Sequence, residues 1–313
     1  MYRVRDVNYL PDEIRTSLLE VRVDGLAIGK VRPGIAELLC NSRPANSEPV
    51  FQLETDDDND AKTTKRPFLT LNDKVAGTTL ESRTQAVARV TDQLRQDGIV
   101  TGWRDELYPI GTGFYDPPLF LMERAAVPLL GAIEYGVHIN GLVRPDVDGV
   151  ETKMWMARRS ATKSKYPGML DHIVAGGQPA GMSLMDNVIK ECLEEANIPE
   201  SITRAGIRPA GAISYETYLP NKDTVTRAVL FNFDLYLPPD FEPTPVDGEV
   251  QEFFLWTMEE VLQSMAKDYP DPIKPNCYSV IIDYLIREQG HLVSPDIPGY
   301  LDVVRELRNG DCR

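Results

Sequence analysis

Residues 176–198, GGQPAGMSLMDNVIKECLEEANI, constrain the fold more than any other stretch. Leu184, Met185, Val188, Ile189, Cys192, Leu193 and Ala196 recur at helical spacing and fill one half of a wheel. Ser183 with Asp186 three residues on is an N-terminal capping pattern, and Asn197 stands where a left-handed residue ends a helix. The run therefore predicts one capped amphipathic helix, reached through a glycine pair. Its other side is harder to explain by folding. Glu191, Glu194 and Glu195 stand at i, i+3 and i+4, so three like charges share a face. Glu191 and Glu194 fall on the polar half, but Glu195 falls inside the edge of the apolar arc. A carboxylate there is costly unless it is paired, hydrogen-bonded or metal-bound. A hard divalent cation gives a reason for the arrangement, because Mg²⁺ takes oxygen ligands and reaches its site with substrate phosphates.

The surrounding pattern is that of an α/β (α+β) chain. Gly136 to Val143, Lys153 to Ala157, Gly211 to Tyr218, Val225 to Leu237 and Glu252 to Trp256 read as strands, rich in β-branched and aromatic residues. Thr257-x-x-Glu260 predicts a capping box, a further helix is expected from Pro275 to Glu288 with Gly290 after it, and Pro238 to Pro245 is a loop. Ahead of these, Pro11-Asp12-Glu13 and Pro33-Gly34 open helices. Leu80 to Gly98 is helical, with Val87, Val90 and Leu94 on one face and Gly98 as its C-terminal stop. The tract ETDDDNDAKTTKR, residues 54–66, reads as a solvated loop, with an acidic metal site as the sharper alternative. The expected organisation is an α+β accessory domain over 1–125, the α/β module over 126–290 and a helical extension over 291–313.

Charge narrows the function. With 33 Lys and Arg against 48 Asp and Glu, the net charge of −15 argues against a general nucleic-acid binder. No apolar run approaches a membrane span, and the first residues carry no secretory pattern, so a cytoplasmic protein is expected. Cys40, Cys192, Cys277 and Cys312 form no C-x-x-C pair, which predicts neither a zinc site nor a disulfide framework. His138, His172 and His291 are dispersed and read as structural or solvated.

Basic residues gather at Lys153, Arg158, Arg159, Lys163 and Lys165 in an otherwise acidic chain, either as a solvated patch or as phosphate ligands. Glu249 and Glu252 precede a strand downstream. Trp103, Tyr108, Phe114 and Tyr115 are either core or a stacking surface for a heterocycle.

On these residues the sequence resembles the Nudix hydrolases, whose box is G-x(5)-E-x(7)-R-E-U-x-E-E-x-G-U with U aliphatic. Gly176, Glu191, Glu194, Glu195 and Ile198 match in register and Cys192 takes the first aliphatic position. Met182, Lys190 and Asn197 depart, standing for the first glutamate, the arginine and the second glycine. The longer segment MWMARRSATKSKYPGMLDHIVAGGQPAG, with KECLEEANIP after it and GWRDELYPI at residues 102–110, resembles the thiamine-pyrophosphokinase-related Nudix branch. That branch has a further domain ahead of the Nudix module.

The resemblance implies an α/β/α sandwich with a mixed sheet, preceded by a smaller α+β domain. It implies a hydrolase dependent on Mg²⁺, or Mn²⁺ in its place, acting on a small-molecule diphosphate as monomer or homodimer. Glu191, Glu194, Glu195 and a Gly176 carbonyl would hold metal. Glu249, or else Glu252, would serve as a further ligand or base. Arg158, Arg159 and Lys163 would hold phosphates, Gly177 would let substrate approach, and Trp103 and Tyr115 would stack on the organic group. Thiamine diphosphate and its oxidised analogues are the substrates that branch implies. An ADP-ribose or NADH type of diphosphate, and a non-catalytic Nudix-fold binding module, are the alternatives.

Overall fold

The computed structural model describes residues 2–43, 47–56, 66–144, 151–163, 165–288 and 294–310. It divides into two units, one of residues 9–134 with 216–228, the other of residues 1–8, 135–215 and 229–310. Much of the acidic tract after Asp56, together with Gly290, His291 and Cys312, lies outside the described residues.

The first unit is built on a four-stranded sheet of order β2-β1-β4-β3. Strands β1 (Leu19–Val23) and β2 (Leu26–Val31) form a hairpin through Asp24-Gly25, both left-handed at φ 53° and 75°. That backbone suits the twist of the flanking strands and favours this dipeptide. Strand β3 (Phe51–Thr55) runs antiparallel to β4 (Pro67–Leu71), and β4 runs parallel to β1, so the sheet is mixed. The Leu80–Gln96 helix buries Ala86, Val87, Val90 and Leu94 in this core, and a Thr79–Ser82 capping box fixes its start. A hairpin of β5 (Leu107–Ile110) and β6 (Phe120–Glu123) completes the unit. The helix expectations were met here, but the strands were not read from the sequence. They are short, and charged residues interrupt their alternation, as in Glu20-Val21-Arg22.

The second unit carries a seven-stranded sheet. Its main path runs β11 (Ile207–Leu219), β12 (Thr224–Tyr236), β7 (Ile133–Val143), β8 (Lys153–Arg159) and β13 (Val250–Thr257), with some strand ends counted to the first unit. Two short strands that the sequence did not announce extend it. These are β9 (Leu170–His172) on β8 and β10 (Val174–Gly177) on β7. Asp171, His172 and the glycine pair hide their strand character.

Side-chain alternation along β7 explains the layering. Val137, Ile139 and Val143 enter one core with Val188, Cys192 and Ala196 of the Leu184–Ala196 helix. Leu142, together with Met154 and Met156 of β8, enters another with Met258, Val261, Tyr278, Ile281 and Leu285. Those last residues belong to the Met258–Ser264 and Pro275–Glu288 helices, so helices cover both faces and β7 is buried along nearly its whole length. Among the described residues no helix is long and apolar enough to cross a membrane.

Candidate active site

The glutamate helix forms as its sequence predicts. Ser183 Oγ accepts the Asp186 amide at 3.1 Å, and Asn197 ends the helix in the left-handed region at φ 55°. The helix lies beside β10, and this contact decides the environment of its carboxylates. Gly176 presents bare backbone to Glu191. A Cβ at Gly176 would stand 2.2 Å from Glu191 Cδ and 2.5 Å from its Oε1. Glu191 is thereby only 8% exposed, deeper than its place on the polar half of the wheel suggested.

Glu195 is 7% exposed, as its place in the apolar arc required, and its Oε2 accepts the Ala175 amide at 2.9 Å. Burial pushes the Glu195 carboxyl up to about 8, and the Glu191 charge adds to that push against the Ala175 hydrogen bond. Glu194, by contrast, is half exposed. Two buried carboxylates and a third at the mouth make a site short of positive charge.

Lysines supply part of it. Lys190 Nζ lies 3.0 Å from Glu191 Oε1 and 2.9 Å from Glu194 Oε2. Burial works to lower the Lys190 ammonium, but its hydrogen bonds to Glu194 and Glu191 outweigh that and raise it. Lys163 pairs with Glu249, and its charge also reaches Glu195. The Asp247-Gly248-Glu249 turn is therefore drawn toward the helix face. Its Asp247 accepts the Glu249 amide at 2.8 Å, with Gly248 at φ 78°. Burial raises the Asp247 carboxyl, Lys163 opposes the rise, and Glu194 adds to it. Sequence reading singled out Glu249 and passed over Asp247; the signal was the Asp-Gly turn immediately before it.

The loop into the helix is held by amides. Asn187, fully buried, donates from Nδ2 to the Gly177 carbonyl at 2.8 Å and to Gln178 Oε1 at 3.1 Å. Gln178 Nε2 in turn donates to the Met182 carbonyl at 2.7 Å. Neither amide was among the residues expected to matter.

The remaining expected residues lie elsewhere or are engaged otherwise. Arg158 grips Asp271 with two nitrogens at 3.0 and 2.7 Å, donates to Glu252 at 2.9 Å and also bonds the Gly168 carbonyl. Arg159 bonds Asp171 and the Tyr166 and Lys165 carbonyls. Carboxylates of the chain thus occupy the guanidinium edges expected to meet phosphate, and Glu252 serves as one of those partners. Trp103 and Tyr115 belong to the other unit. The Trp103 indole donates to Asp105 at 2.8 Å beneath the Arg95 guanidinium, whereas Tyr115 is 86% exposed against the edge of Phe114.

Comparison with known proteins finds relatives over most of the chain. The chain is 45% identical over 232 residues to Nudix hydrolase 24, chloroplastic, of Arabidopsis thaliana, covering 74% of this chain and 61% of that protein. It is 45% identical over 235 residues to Nudix hydrolase 20, chloroplastic, of the same plant, covering 74% and 59%. Over those residues the chain is similar to these two Nudix hydrolases. It spans about three fifths of the length of the curated relatives it matches. The uncharacterized protein YJR142W of Saccharomyces cerevisiae is 36% identical over 217 residues, covering 66% of this chain and 61% of that one. Residues 1–134 match the model of a domain of unknown function, DUF4743.

Within the Nudix-type box, two departures now have a structural context. Met182 replaces a glutamate, but its carbonyl is the one that Gln178 holds. Lys190 replaces the arginine and turns to Glu191 and Glu194 instead. The loop is fastened by Asn187 and Gln178, so the carboxylate face persists with Met182 and Lys190 at those two positions.

Proposed function

We propose that the chain is a Mg²⁺-dependent Nudix diphosphohydrolase, with thiamine diphosphate and its oxidised analogues as substrates. The observation that carries the chemistry is the pair Glu191 and Glu195, both buried, with the Glu195 carboxyl pushed up by its burial and by the Glu191 charge. The donor set suits the ion: oxygen ligands, a bare backbone at Gly176, and a site where the Lys190 ammonium already bridges two carboxylates as a cation would.

Glu191, Glu194 and Glu195 would hold Mg²⁺, or Mn²⁺ in its place. When bound, the ion neutralises charge on the diphosphate oxygens and lowers the pKa of water. Glu195 is kept in place by the Ala175 amide at Oε2, which would leave Oε1 for the ion. Asp247 and Glu249, on a turn whose Glu249 pairs with Lys163, would take a proton from attacking water. Lys190, on Glu191 and Glu194, and Lys163, on Glu249, would meet the phosphates as point charges. Arg158 and Arg159 would instead hold β8, β9 and the Asp271 loop together.

The substrate rests on the resemblance of residues 102–110, 154–181 and 190–199 to the thiamine-related branch. A Mg²⁺-dependent phosphate-release screen over thiamine diphosphate, oxythiamine diphosphate, ADP-ribose and NADH tests it. Highest kcat/KM on the thiamine compounds is expected. Preference for ADP-ribose or NADH would move the chain to the nucleotide-linked class.

A further inference from the structure

A second cluster of ligand-type side chains lies in the core of the β7–β13 unit. His138 on β7, His172 on β9 and Cys277 in the Pro275–Glu288 helix each bring one nitrogen or sulfur within 4.8 Å of the others. They are 4%, 2% and 0% exposed. Among the described residues this is the group where such atoms already converge; the glutamate face does not close that far. Sequence spacing concealed it, because β7, β9 and the helix are far apart in the chain.

We propose that His138, His172 and Cys277 bind one soft monovalent d¹⁰ metal ion of the Cu⁺ class.

Geometry is the first argument. The two Nδ1 atoms face each other at 3.0 Å, with the rings nearly perpendicular at 87°. Two nitrogens bound to one ion at roughly 2.0–2.1 Å stand about 3.3 Å apart in a tetrahedral arrangement. An opening of a few tenths of an ångström therefore seats an ion between them. The second argument is the tautomer. His172 Nε2 is buried without a hydrogen-bond partner, so no donor on that side fixes the ring proton at Nδ1, and the ring can carry it on Nε2 with Nδ1 turned to the ion.

Charge selects the valence. Asp171 accepts the Cys277 thiol at 2.7 Å, the His172 amide at 2.9 Å and Lys274 at 3.2 Å, and it also pairs with Arg159. One carboxylate thus meets two cations, Lys274 and Arg159, and the charge of the cluster is set without the neutral thiol. A monovalent ion that replaces the thiol proton, M⁺ + Cys–SH → Cys–S–M + H⁺, leaves that charge unchanged. A divalent ion would add another charge in a buried place. A thiolate is a soft ligand that selects Cu⁺, and imidazole also suits copper.

The test uses the full chain, purified anaerobically under reducing conditions and incubated with Cu⁺ against the chromogenic chelator bicinchoninate. The expected result is one Cu⁺ retained per chain, with X-ray absorption showing two nitrogen ligands and one sulfur. Cys277→Ser and His172→Asn should each weaken retention at least tenfold, while Cys40→Ser, Cys192→Ser and Cys312→Ser leave it unchanged. Wild-type protein that yields all its Cu⁺ to the chelator would overturn the site, as would a Cys277→Ser variant that retains it fully. Zn²⁺ held as tightly as Cu⁺ in a matched competition would overturn the monovalent assignment. If Cys277→Ser fails to fold, the ligand set seen by absorption on wild type decides alone. The glutamate face offers only oxygen and cannot mimic that signature.

Discussion

Gly176 and Glu191 fit together as bare backbone and carboxyl group, with no room for even a methyl between them: an added Cβ would sit 2.2 Å from Glu191 Cδ. Gly176→Ala should therefore displace Glu191 from the carboxylate face. A displacement of about 1 Å in such a site costs on the order of 10²-fold in rate. We expect kcat/KM to fall by about that factor and Mg²⁺ affinity to fall with it. Steady-state kinetics with a Mg²⁺ titration checks this; unchanged values would show that Glu191 is not a ligand.

Lys190 shields the same face. Because its ammonium bridges Glu191 and Glu194, it competes with any cation that binds there. It is about a third exposed, so screening keeps the effect modest. Lys190→Gln should bind Mn²⁺ several-fold more tightly in a paramagnetic-resonance titration, while melting at lower temperature without metal. Weaker binding would make Lys190 a support of the ligands rather than a rival of the ion.

Arg158 is read as structural. Its two-nitrogen grip on Asp271 and its bond to Glu252 hold β8 to β13 and to the Asp271 loop. Arg158→Ala should cost about 1–2 kcal/mol of stability, since it removes charge-assisted hydrogen bonds in a part-buried place. KM for diphosphate should change less than about threefold, under 1 kcal/mol. Denaturant unfolding and kinetics read the two separately. A large KM rise with stability intact would return Arg158 to the phosphate site.

Metal-free protein should lose stability in mild acid. Burial lowers the folded His172 pKa from its ordinary 6.5 to about 4, against the pull of Asp171, and His138 is lowered as well. Between those values the unfolded chain takes up protons that the folded chain refuses, so stability is full above 6.5 and falls as the pH drops toward 4. For His172 alone the loss is on the order of 3 kcal/mol. Asp171 is held well below the carboxylate range because Lys274 and Arg159 outweigh its burial, so its contribution is lost only at more acid pH. Thermal melts from neutral pH downward should show the decline, and His172→Gln should flatten it. A flat wild-type profile would contradict the assignment of buried neutral rings.

How much of this was legible follows from how locally each feature is determined. The glutamate helix, its Ser183 cap, its Asn197 stop and the burial of Glu195 could be read because helical spacing and capping are decided within a turn or two. The Thr257–Glu260 box and the Pro275 helix were legible for the same reason. Strands β9 and β10 were not, since their pairing with β8 and β7 overrides the propensities of Asp171 and Gly176. The commitment of Arg158 to Asp271 lies 113 positions away in the chain, and no local pattern encodes such a partner. Asp247 was hidden for a related reason: an Asp-Gly turn reads as a loop until the sheet shows which helix it faces.

The central claim is that buried helix carboxylates hold Mg²⁺ for diphosphate hydrolysis, and Glu195→Gln tests it most directly. The substitution keeps shape and retains an oxygen for the Ala175 amide, so the circular dichroism spectrum and melting temperature should stay near wild type. Calorimetric Mg²⁺ titration and phosphate release from thiamine diphosphate should then be measured on the same sample. The account predicts Mg²⁺ binding weakened at least tenfold and turnover reduced by on the order of 10³-fold or more. A folded Glu195→Gln protein with wild-type Mg²⁺ affinity and turnover would contradict it.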